Sequence, residues 1–368
     1  LFFSGQLKQT ATCFKSTYFY KNLEIGNRVK EKIFTLLLIT FICINAGETQ
    51  IQSSNFHSDI SDLEKEWVDN IYNNMTLDER IGQLFSIRAH SDLGKKHTDW
   101  VEEQIRKYHV GGMTFFQGTP EKQAQLTNRY QSLSKVPLMI AVDAEWGLGM
   151  RFKKDGVSFP KQLTLGAIQD NRLIYEMGKE VARQCRRLGM HVNFAPVVDV
   201  NNNPNNPVIN TRSFGEDRYN VAAKSYMYMQ GMQDGNIIAC AKHFPGHGDT
   251  DVDSHYDLPV ISHDRNRLDS LELFPFKVLA QHGVKSMMVA HLSVPSIDDT
   301  KDLATSLSPK AVADLLKKEI GFKGLIFTDA LEMKGVSKHF APGEVAAKSL
   351  MAGNDILDLP DDIEKCVS

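Results

Sequence analysis

From about residue 59 onward the chain repeats one pattern: an apolar run rich in β-branched residues, a polar loop, and then a stretch with helical periodicity. Strands that are apolar on both faces and separated by helices predict a parallel sheet covered on both sides. Eight such runs favour a closed barrel of the α/β class, the (β/α)8 TIM barrel. The runs lie at residues 81–87, 110–116, 138–144, 192–200, 237–243, 286–291, 324–330 and 354–359, and helical patterns lie at 100–109, 171–189 and 309–320.

Polar and ionisable residues follow these runs at the points where the predicted strands end. In a (β/α)8 barrel the active site forms at that end of the strands. Burying such groups without partners is costly, so their concentration predicts a site for a polar ligand such as a hydroxyl-rich sugar. The residues at the ends of the third to seventh runs are Asp143, Glu145, Asp199, Lys242, His243, His291, Asp329 and Glu332.

The composition is that of an ordinary globular protein without a strong charge bias. Of 368 residues, 42 are Lys or Arg and 45 are Asp or Glu, which gives a formal net charge of −3 and a pI near 6.5. This balance argues against a general nucleic-acid binder or membrane-surface binder. The 5 cysteines form no CxxC pair, so neither a disulfide framework nor a zinc ribbon is expected.

The amino-terminal part of the chain has the features of an export signal. Lys30 and Lys32 precede an apolar run at residues 33–44, which is too short to cross a bilayer comfortably but suits the hydrophobic region of a signal peptide. We therefore expect residues 1–55 to be an upstream segment and signal peptide, and residues 56–368 to form the barrel. Export to the periplasm or the medium is the localisation that this pattern predicts.

The most informative stretch lies at residues 241–259, which carry three histidines and several aspartates in a loop with glycines. One interpretation is a metal site built from His243, His247, His255 and the aspartates. A second is a catalytic pair: Asp253 and His255 are two positions apart, so in an extended segment both side chains leave the same face. His255 would then be a general acid/base oriented by Asp253. A third is a loop whose side chains only bind their own backbone.

The sequence KHFPGHGDTDVDSH at residues 242–255 resembles the signature loop of glycoside hydrolase family 3 β-N-acetylglucosaminidases, in the branch that uses a His-Asp pair as acid/base. The resemblance extends to NFAPVVDVNNNP (193–204), RSFGED (212–217) and FTDALEM (327–333). It covers essentially everything from residue 62 to residue 360. The family's barrel fold agrees with the count of eight apolar runs.

The resemblance implies a role for individual residues. Asp329 matches the family's nucleophile, which attacks the anomeric carbon and forms a covalent glycosyl-enzyme. His255 matches the residue that protonates the leaving oxygen and then deprotonates water, with Asp253 as its partner. No metal and no organic cofactor is implied. The residues that match the substrate-binding positions are Asp143, Arg151, Arg212, Lys242 and His243.

Two features depart from the family pattern. Where many relatives carry Asp-His-Glu-Gly-Gly, this chain has Ala144 and Trp146, so the wall of the sugar site near Trp146 is expected to differ in shape. After the last apolar run, few residues remain for the helix that should close the barrel. We therefore expect a barrel truncated at its carboxyl end, with a further domain possible in a longer protein.

The resulting functional hypothesis is a retaining exo-β-N-acetylglucosaminidase that removes terminal β-linked N-acetylhexosamine from peptidoglycan fragments or chitin-type oligosaccharides. Three alternatives stay open. The first is a β-glucosidase of the same family. The second, from another class, is a metal-dependent hydrolase that uses the His/Asp loop at 243–255. The third is a sugar-binding barrel without catalytic activity.

Overall fold

A computed structural model describes residues 62–367, nearly all of which belong to one compact unit that begins at Glu66. The predicted upstream segment and signal peptide, with the apolar run at 33–44, lie outside the described residues. Among those that are described, no helix combines the length and the apolar character that crossing a bilayer requires.

Eight parallel strands form one sheet in the order β7-β6-β5-β4-β3-β2-β1-β8. A parallel bridge between Phe327 and Ile356 joins β7 to the segment that leads into β8, so the sheet closes on itself. The predicted (β/α)8 barrel is therefore confirmed. The strands are β1 Phe85–Ala89, β2 Gly112–Phe115, β3 Met139–Val142, β4 Val192–Asn193, β5 Ile238–Phe244, β6 Ser286–Val289, β7 Leu325–Thr328 and β8 Leu357–Asp358.

Helices surround the strands and cover the outer face of the barrel. Each of the three predicted helical stretches coincides with a helix, although the third is wound as a π-helix, Lys310–Glu319. The α-helices are α1 Asp62–Asn73, α2 Leu77–Gly82, α3 Lys95–Tyr108, α4 Pro120–Leu133, α5 Gln162–Gly166, α6 Arg172–Arg187, α7 Arg218–Asp234, α8 Arg265–Ser270, α9 Leu273–Gln281, α10 Lys334–Ser337, α11 Pro342–Ala352 and α12 Ile363–Val367.

Two predicted strands differ most in their bounds from the observed ones. The first apolar run was expected to start at residue 81, but residues 77–82 form α2. A capping box fixes that helix, because the Thr76 hydroxyl accepts a hydrogen bond from the Glu79 amide while the Glu79 carboxylate accepts one from the Thr76 amide. The fourth run was expected to span 192–200, yet β4 ends at Asn193. Pro196 has no N–H to donate to a strand ladder, which favours this early end.

Two apolar cores hold the barrel together. The larger core packs the outer faces of the strands against the helices. The smaller core fills the inside of the barrel, and its residues alternate along the strands with those of the larger core. The buried residues of the inner core are Ala141, Val192, Phe194, Cys240, Met288 and Phe327.

The inner core positions the candidate site by the two-residue period of a strand. A residue two positions after an inward-facing one points to the same side, but one layer nearer the carboxyl end of the barrel. The chain therefore changes from apolar to ionisable side chains between these two layers. The pairs on three strands are Ala141 and Asp143, Cys240 and Lys242, and Phe327 and Asp329.

Candidate active site

Asp143, Lys242 and Arg151 form an ion cluster at the carboxyl ends of β3 and β5. The Lys242 Nζ lies 2.7 Å from Asp143 Oδ1, and Arg151 Nη2 lies 2.5 Å from Asp143 Oδ2. Arg151 Nε also donates to the Asp143 carbonyl oxygen at 3.1 Å. Loss of solvation would raise the pKa of Asp143, but the charges of Lys242 and Arg151 outweigh it and lower that pKa. Asp143 is therefore a carboxylate held between two cations.

Glu145 extends this cluster towards Arg212. Arg212 donates to the Glu145 carboxylate through Nε at 3.0 Å and Nη2 at 2.7 Å, and Lys242 Nζ lies 2.8 Å from Glu145 Oε1. Burial would raise the pKa of Glu145, yet these two cations bring it well below its ordinary value. The bidentate pair holds the guanidinium plane in a fixed orientation, with Nη2 also 3.2 Å from His243 Nε2.

Asp199 organises the start of the loop that follows β5. Its carboxylate lies 2.8 Å from His243 Nδ1 and accepts hydrogen bonds from the backbone amides of His243 and His247. Because a carboxylate on Nδ1 favours a proton there, Nε2 of His243 is left to interact with Arg212 and a ligand. Asp199 is fully buried, so it fixes this geometry without contact with solvent.

Asp329 follows β7 and is partly exposed at the mouth of the barrel. Its Oδ1 accepts a hydrogen bond from the Ala330 amide at 2.8 Å. Loss of solvation would raise the pKa of Asp329, but the charges of His243 and His291 and the Ala330 amide lower it to about 2. Asp329 is thus ionised at neutral pH, as a nucleophilic carboxylate must be.

His291 at the end of β6 lies beside Asp329 but is completely buried. Its Nδ1 lies 2.6 Å from the Ser306 hydroxyl and its Nε2 lies 2.9 Å from the Ala330 carbonyl oxygen. Both ring nitrogens therefore have protein partners. The His291 side chain therefore packs beneath the pocket.

His255 and Asp253 meet as predicted, but on a turn. His255 Nδ1 lies 2.7 Å from Asp253 Oδ1, and the imidazole is 60% exposed. The expectation of an extended segment was wrong: Asp253 Oδ1 accepts the His255 amide, and the Asp253 carbonyl accepts the Tyr256 amide, which closes a turn. The short Asp side chain stabilises such turns by binding the backbone two residues on.

The loop of His255 is tied to the loop of Asp329. Gly335 lies in α10, the short helix that follows the loop of Asp329. Its amide donates to the Ser254 carbonyl oxygen at 3.2 Å. Lys338 Nζ lies 3.0 Å from Asp257 Oδ2 in the same interface. Burial lowers the pKa of His291, the negative charge of Asp329 raises it, and the positive charge of His255 lowers it. His255 and Asp329 are therefore both close enough to His291 to act on it electrostatically.

Residues 76–366 match the N-terminal domain of glycosyl hydrolase family 3. The chain belongs to glycosyl hydrolase family 3. It is 35% identical over 282 residues to the β-hexosaminidase A of Pseudoalteromonas piscicida, an alignment that covers 71% of this chain and 47% of that protein. It is 33% identical over 265 residues to a β-hexosaminidase of Nitrosospira multiformis, covering 70% and 75% of the two chains.

A solved structure shows the same relationship. The family 3 β-N-acetylglucosaminidase of Paenibacillus sp. superimposes with a TM-score of 0.74 at 37% sequence identity, over 79% of this chain and 56% of that chain. The family 3 domain described here thus spans about half the length of the first of these relatives. The resemblance stated from the sequence motifs is confirmed.

In this family 3 domain, the five predicted substrate-binding residues lie in one connected network, and the predicted catalytic residues lie on the two loops beside it. Glu145 and Asp199 stand at predicted strand ends, but the sequence predicted no role in the site for either. Their signal was present, because a buried carboxylate must have a cationic or hydrogen-bonding partner. What the sequence did not show was that Arg212 and His243 are those partners.

The rim of the family 3 site carries an aromatic residue between two arginines. The guanidinium carbons of Arg88 and Arg151 lie 3.9 Å and 4.6 Å from the centroid of the Phe116 ring. Arg88 also forms an ion pair with Glu332. Glu332 therefore supports the rim of the site. Trp146 is partly exposed, with Lys161 Nζ 5.3 Å from its ring centroid.

Within the described part of the chain, one group of side chains has the spacing of a metal site: Asp249, His263 and Glu272. Of these, only Asp249 belongs to the loop at 243–255. A cation already occupies the group, because Arg267 Nη2 lies 3.2 Å from Glu272 Oε1 and 3.8 Å from Asp249 Oδ2. Among the described residues, His243, His247 and His255 do not form a second group of this spacing.

Proposed function

We propose that this chain is the catalytic barrel of a retaining exo-β-N-acetylglucosaminidase, which hydrolyses terminal β-linked N-acetylhexosamine through a covalent glycosyl-enzyme. The observation that carries the proposal is that a carboxylate and a histidine able to donate a proton lie on neighbouring loops at the mouth of the barrel. Asp329 is ionised on a strand end, and the His255–Asp253 pair lies on a loop bonded to the loop of Asp329. Retaining hydrolysis needs a nucleophilic carboxylate and a proton donor.

In the first step, the Asp329 carboxylate attacks the anomeric carbon as the bond to the leaving oxygen breaks. The protonated His255 imidazole gives its proton to that oxygen, so the aglycone departs as a neutral alcohol. In the second step, the neutral His255 takes a proton from water, which attacks the anomeric carbon and releases Asp329. Asp253, 2.7 Å from Nδ1, stabilises the imidazolium form that alternates with the neutral one.

The ion cluster supplies the contacts that hold the sugar. Asp143 accepts hydrogen bonds from sugar hydroxyls, while Lys242 and Arg151 donate them, and the three side chains already hold one another in place. Arg212 and His243 extend the same network on the other side. Preformed contacts of this kind position the substrate without further ordering of the protein.

The activity is tested with chromogenic N-acetylglucosaminides and glucosides. We expect turnover of the N-acetylglucosaminide, with Asp329→Asn abolishing it, and Asp314→Asn as the control that removes an exposed carboxylate paired with Lys318. A 2-fluoro sugar should accumulate as an adduct on Asp329, detected by mass spectrometry of the digested protein. A clear preference for glucosides would identify a β-glucosidase, and ligand binding without turnover in both the wild type and Asp329→Asn would identify a sugar-binding barrel.

The acid/base role of His255 and the metal alternative have separate tests. His255→Ala should slow substrates with poor leaving groups by about 10²–10⁴-fold and good leaving groups far less, because only the former need protonation. If His255→Ala kept the wild-type rate on both kinds of substrate, the assignment of His255 as acid/base would be contradicted. Activity that disappears in a chelator and returns with added metal would support the metal-dependent hydrolase instead.

The substrate source and the site of action are also part of the proposal. Exported enzymes of this activity meet peptidoglycan fragments or chitin-type oligosaccharides, and export rests on the apolar run at residues 33–44. Product analysis with a muropeptide and with chitobiose, each with and without phosphate, would distinguish the two sources and reveal phosphorolysis. Amino-terminal sequencing of the protein recovered from the medium or periplasm would locate the processing site.

A further inference from the structure

His247 is a buried histidine in the middle of the loop that carries the acid/base pair, and nothing in the proposed reaction uses it. Its side chain is 1% exposed. The ring contacts two hydroxyl groups of the same loop: Nδ1 lies 2.9 Å from Thr250 Oγ1, and Nε2 lies 3.1 Å from Ser254 Oγ. Both contacts are buried, since Thr250 and Ser254 are hidden from solvent as well. The ring therefore closes the loop on itself.

The contact between His247 and Ser254 matters because of where Ser254 lies in the chain. Ser254 stands between Asp253 and His255, so it cannot move without moving both members of the pair. Its side chain is held by His247, and its carbonyl oxygen is held by the Gly335 amide at 3.2 Å. The pair is thus fixed from two sides, once through the loop of Asp329 and once through His247.

The backbone of His247 makes hydrogen bonds that do not involve its ring. The His247 amide donates to Asp199 Oδ1 at 2.7 Å, and the His247 carbonyl accepts from Asn206 Nδ2 at 2.8 Å. Replacing the imidazole leaves these two anchors in place. The contribution of the ring to the loop can therefore be separated from the folding of the loop base.

We infer that His247 is a positioning residue for the acid/base: through Ser254 it holds the Asp253–His255 pair where the imidazole reaches the leaving oxygen. This inference rests on the proposed function of His255. Burial and the charge of His243 lower the pKa of His247 to about 4, so its ring is neutral at the pH of the reaction. A neutral ring has one donor and one acceptor nitrogen, and each hydroxyl can play either part. Both contacts are thus satisfied without a charge on the loop.

The inference predicts a specific kinetic signature. A displacement of about 1 Å at a catalytic group costs on the order of 10²-fold in rate. We expect His247→Ala and Ser254→Ala to lower kcat by about 10–10²-fold on a poor leaving group and by much less on an activated aryl N-acetylglucosaminide. A substitution that only loosened the fold would lower the melting temperature but leave the ratio of the two rates unchanged.

The second variant set tests the contact itself. His247→Gln can place an amide group near the position of Nε2 and should recover most of the rate on the poor leaving group. The double variant His247→Ala with Ser254→Ala should be no slower than His247→Ala alone, because both substitutions remove the contact between His247 and Ser254. Asp251→Asn is the matched control, since Asp251 lies in the same loop, is exposed and accepts a hydrogen bond from Asn203 rather than from His247 or Ser254.

The outcomes separate this inference from the proposed function. If His255→Ala shows the leaving-group dependence while His247→Ala and Ser254→Ala keep the wild-type ratio, the positioning role is overturned and the function stands. If His255→Ala itself lacks the dependence, the function of the pair is overturned first. Should His247→Ala fail to fold, Ser254→Ala removes the same contact by loss of one hydroxyl and decides the question alone.

Discussion

Asp358 is a buried carboxyl group one layer below the ion cluster, and it yields the sharpest stability prediction. It ends β8, is 2% exposed, and accepts a hydrogen bond from Thr114 Oγ1 at 2.8 Å. Burial, together with the negative charges of Asp143 and Asp329, raises the pKa of Asp358 from 3.8 to about 7, although hydrogen bonds with Ser86 and Thr114 oppose the rise. The folded protein therefore keeps a proton on Asp358 at pH values where the unfolded chain has lost it.

The sign of the pH dependence follows from this difference in proton binding. Between pH 3.8 and about 7 the folded state binds more protons at Asp358 than the unfolded state, so its contribution to the free energy of unfolding falls as pH rises. Above pH 7 both states are ionised, and the loss is complete. A pKa difference of roughly 3 units corresponds to about 4 kcal/mol at 1.36 kcal/mol per unit.

The substitution Asp358→Asn removes this cost and keeps an oxygen that accepts from Thr114. We expect the variant to match the wild type within about 1 kcal/mol near pH 4 and to exceed it by up to about 4 kcal/mol at pH 8. Reversible urea unfolding at five pH values, followed by circular dichroism, measures the difference. Asp361→Asn removes an exposed carboxyl nearby and serves as the control. A difference between variant and wild type that is the same at every pH would refute the reasoning.

Three further substitutions test other parts of the structure. Glu145→Gln leaves Arg212 without its buried partner and should lower the free energy of unfolding by about 3–5 kcal/mol in urea; a loss below about 1 kcal/mol would contradict the role of this pair. Asn193→Ala removes the side chain that bonds both the amide and the carbonyl of Ala144, at 2.9 and 3.2 Å, and should cost about 1–3 kcal/mol by thermal unfolding. Phe194→Ala opens a cavity inside the barrel and should cost about 3–5 kcal/mol, whereas Phe194→Leu should recover most of it.

The fold was predictable because one period dominates each part of the chain. Eight apolar runs gave eight strands, and the barrel followed from their number and from the helices between them. The errors occurred where a local interaction overrides the apolar pattern. Residues 81 and 82 belong to an apolar run, yet the capping box at Thr76 and Glu79 begins a helix that includes them. Hydrophobicity alone cannot reveal such a hydrogen bond.

The sequence predicted which residues form the site better than it predicted which of them pair with one another. Strand periodicity brought Asp143, Lys242 and Asp329 to one layer, since inward positions recur every two residues. The pairing of Glu145 with Arg212 joins the loop after β3 to a turn 67 residues later, and no periodicity relates those two segments. The role of Ser254 as a junction between loops was equally invisible, because backbone contacts with Gly335 leave no trace in residue type.

The two groups of the proposed reaction, Asp329 and His255, have supports of different rigidity. Asp329 directly follows a strand of the closed sheet, and its backbone amide bonds to Val289 on the neighbouring strand. A nucleophile must meet one carbon atom at one distance, which suits a rigid support. His255 is 60% exposed on a loop, and its ring is bonded to Asp253 of the same loop. A proton donor that exchanges with solvent and meets aglycones of varied shape gains from such a setting. Damage to the inner core should therefore affect all substrates alike, whereas damage to the loop anchors should affect substrates according to their leaving group.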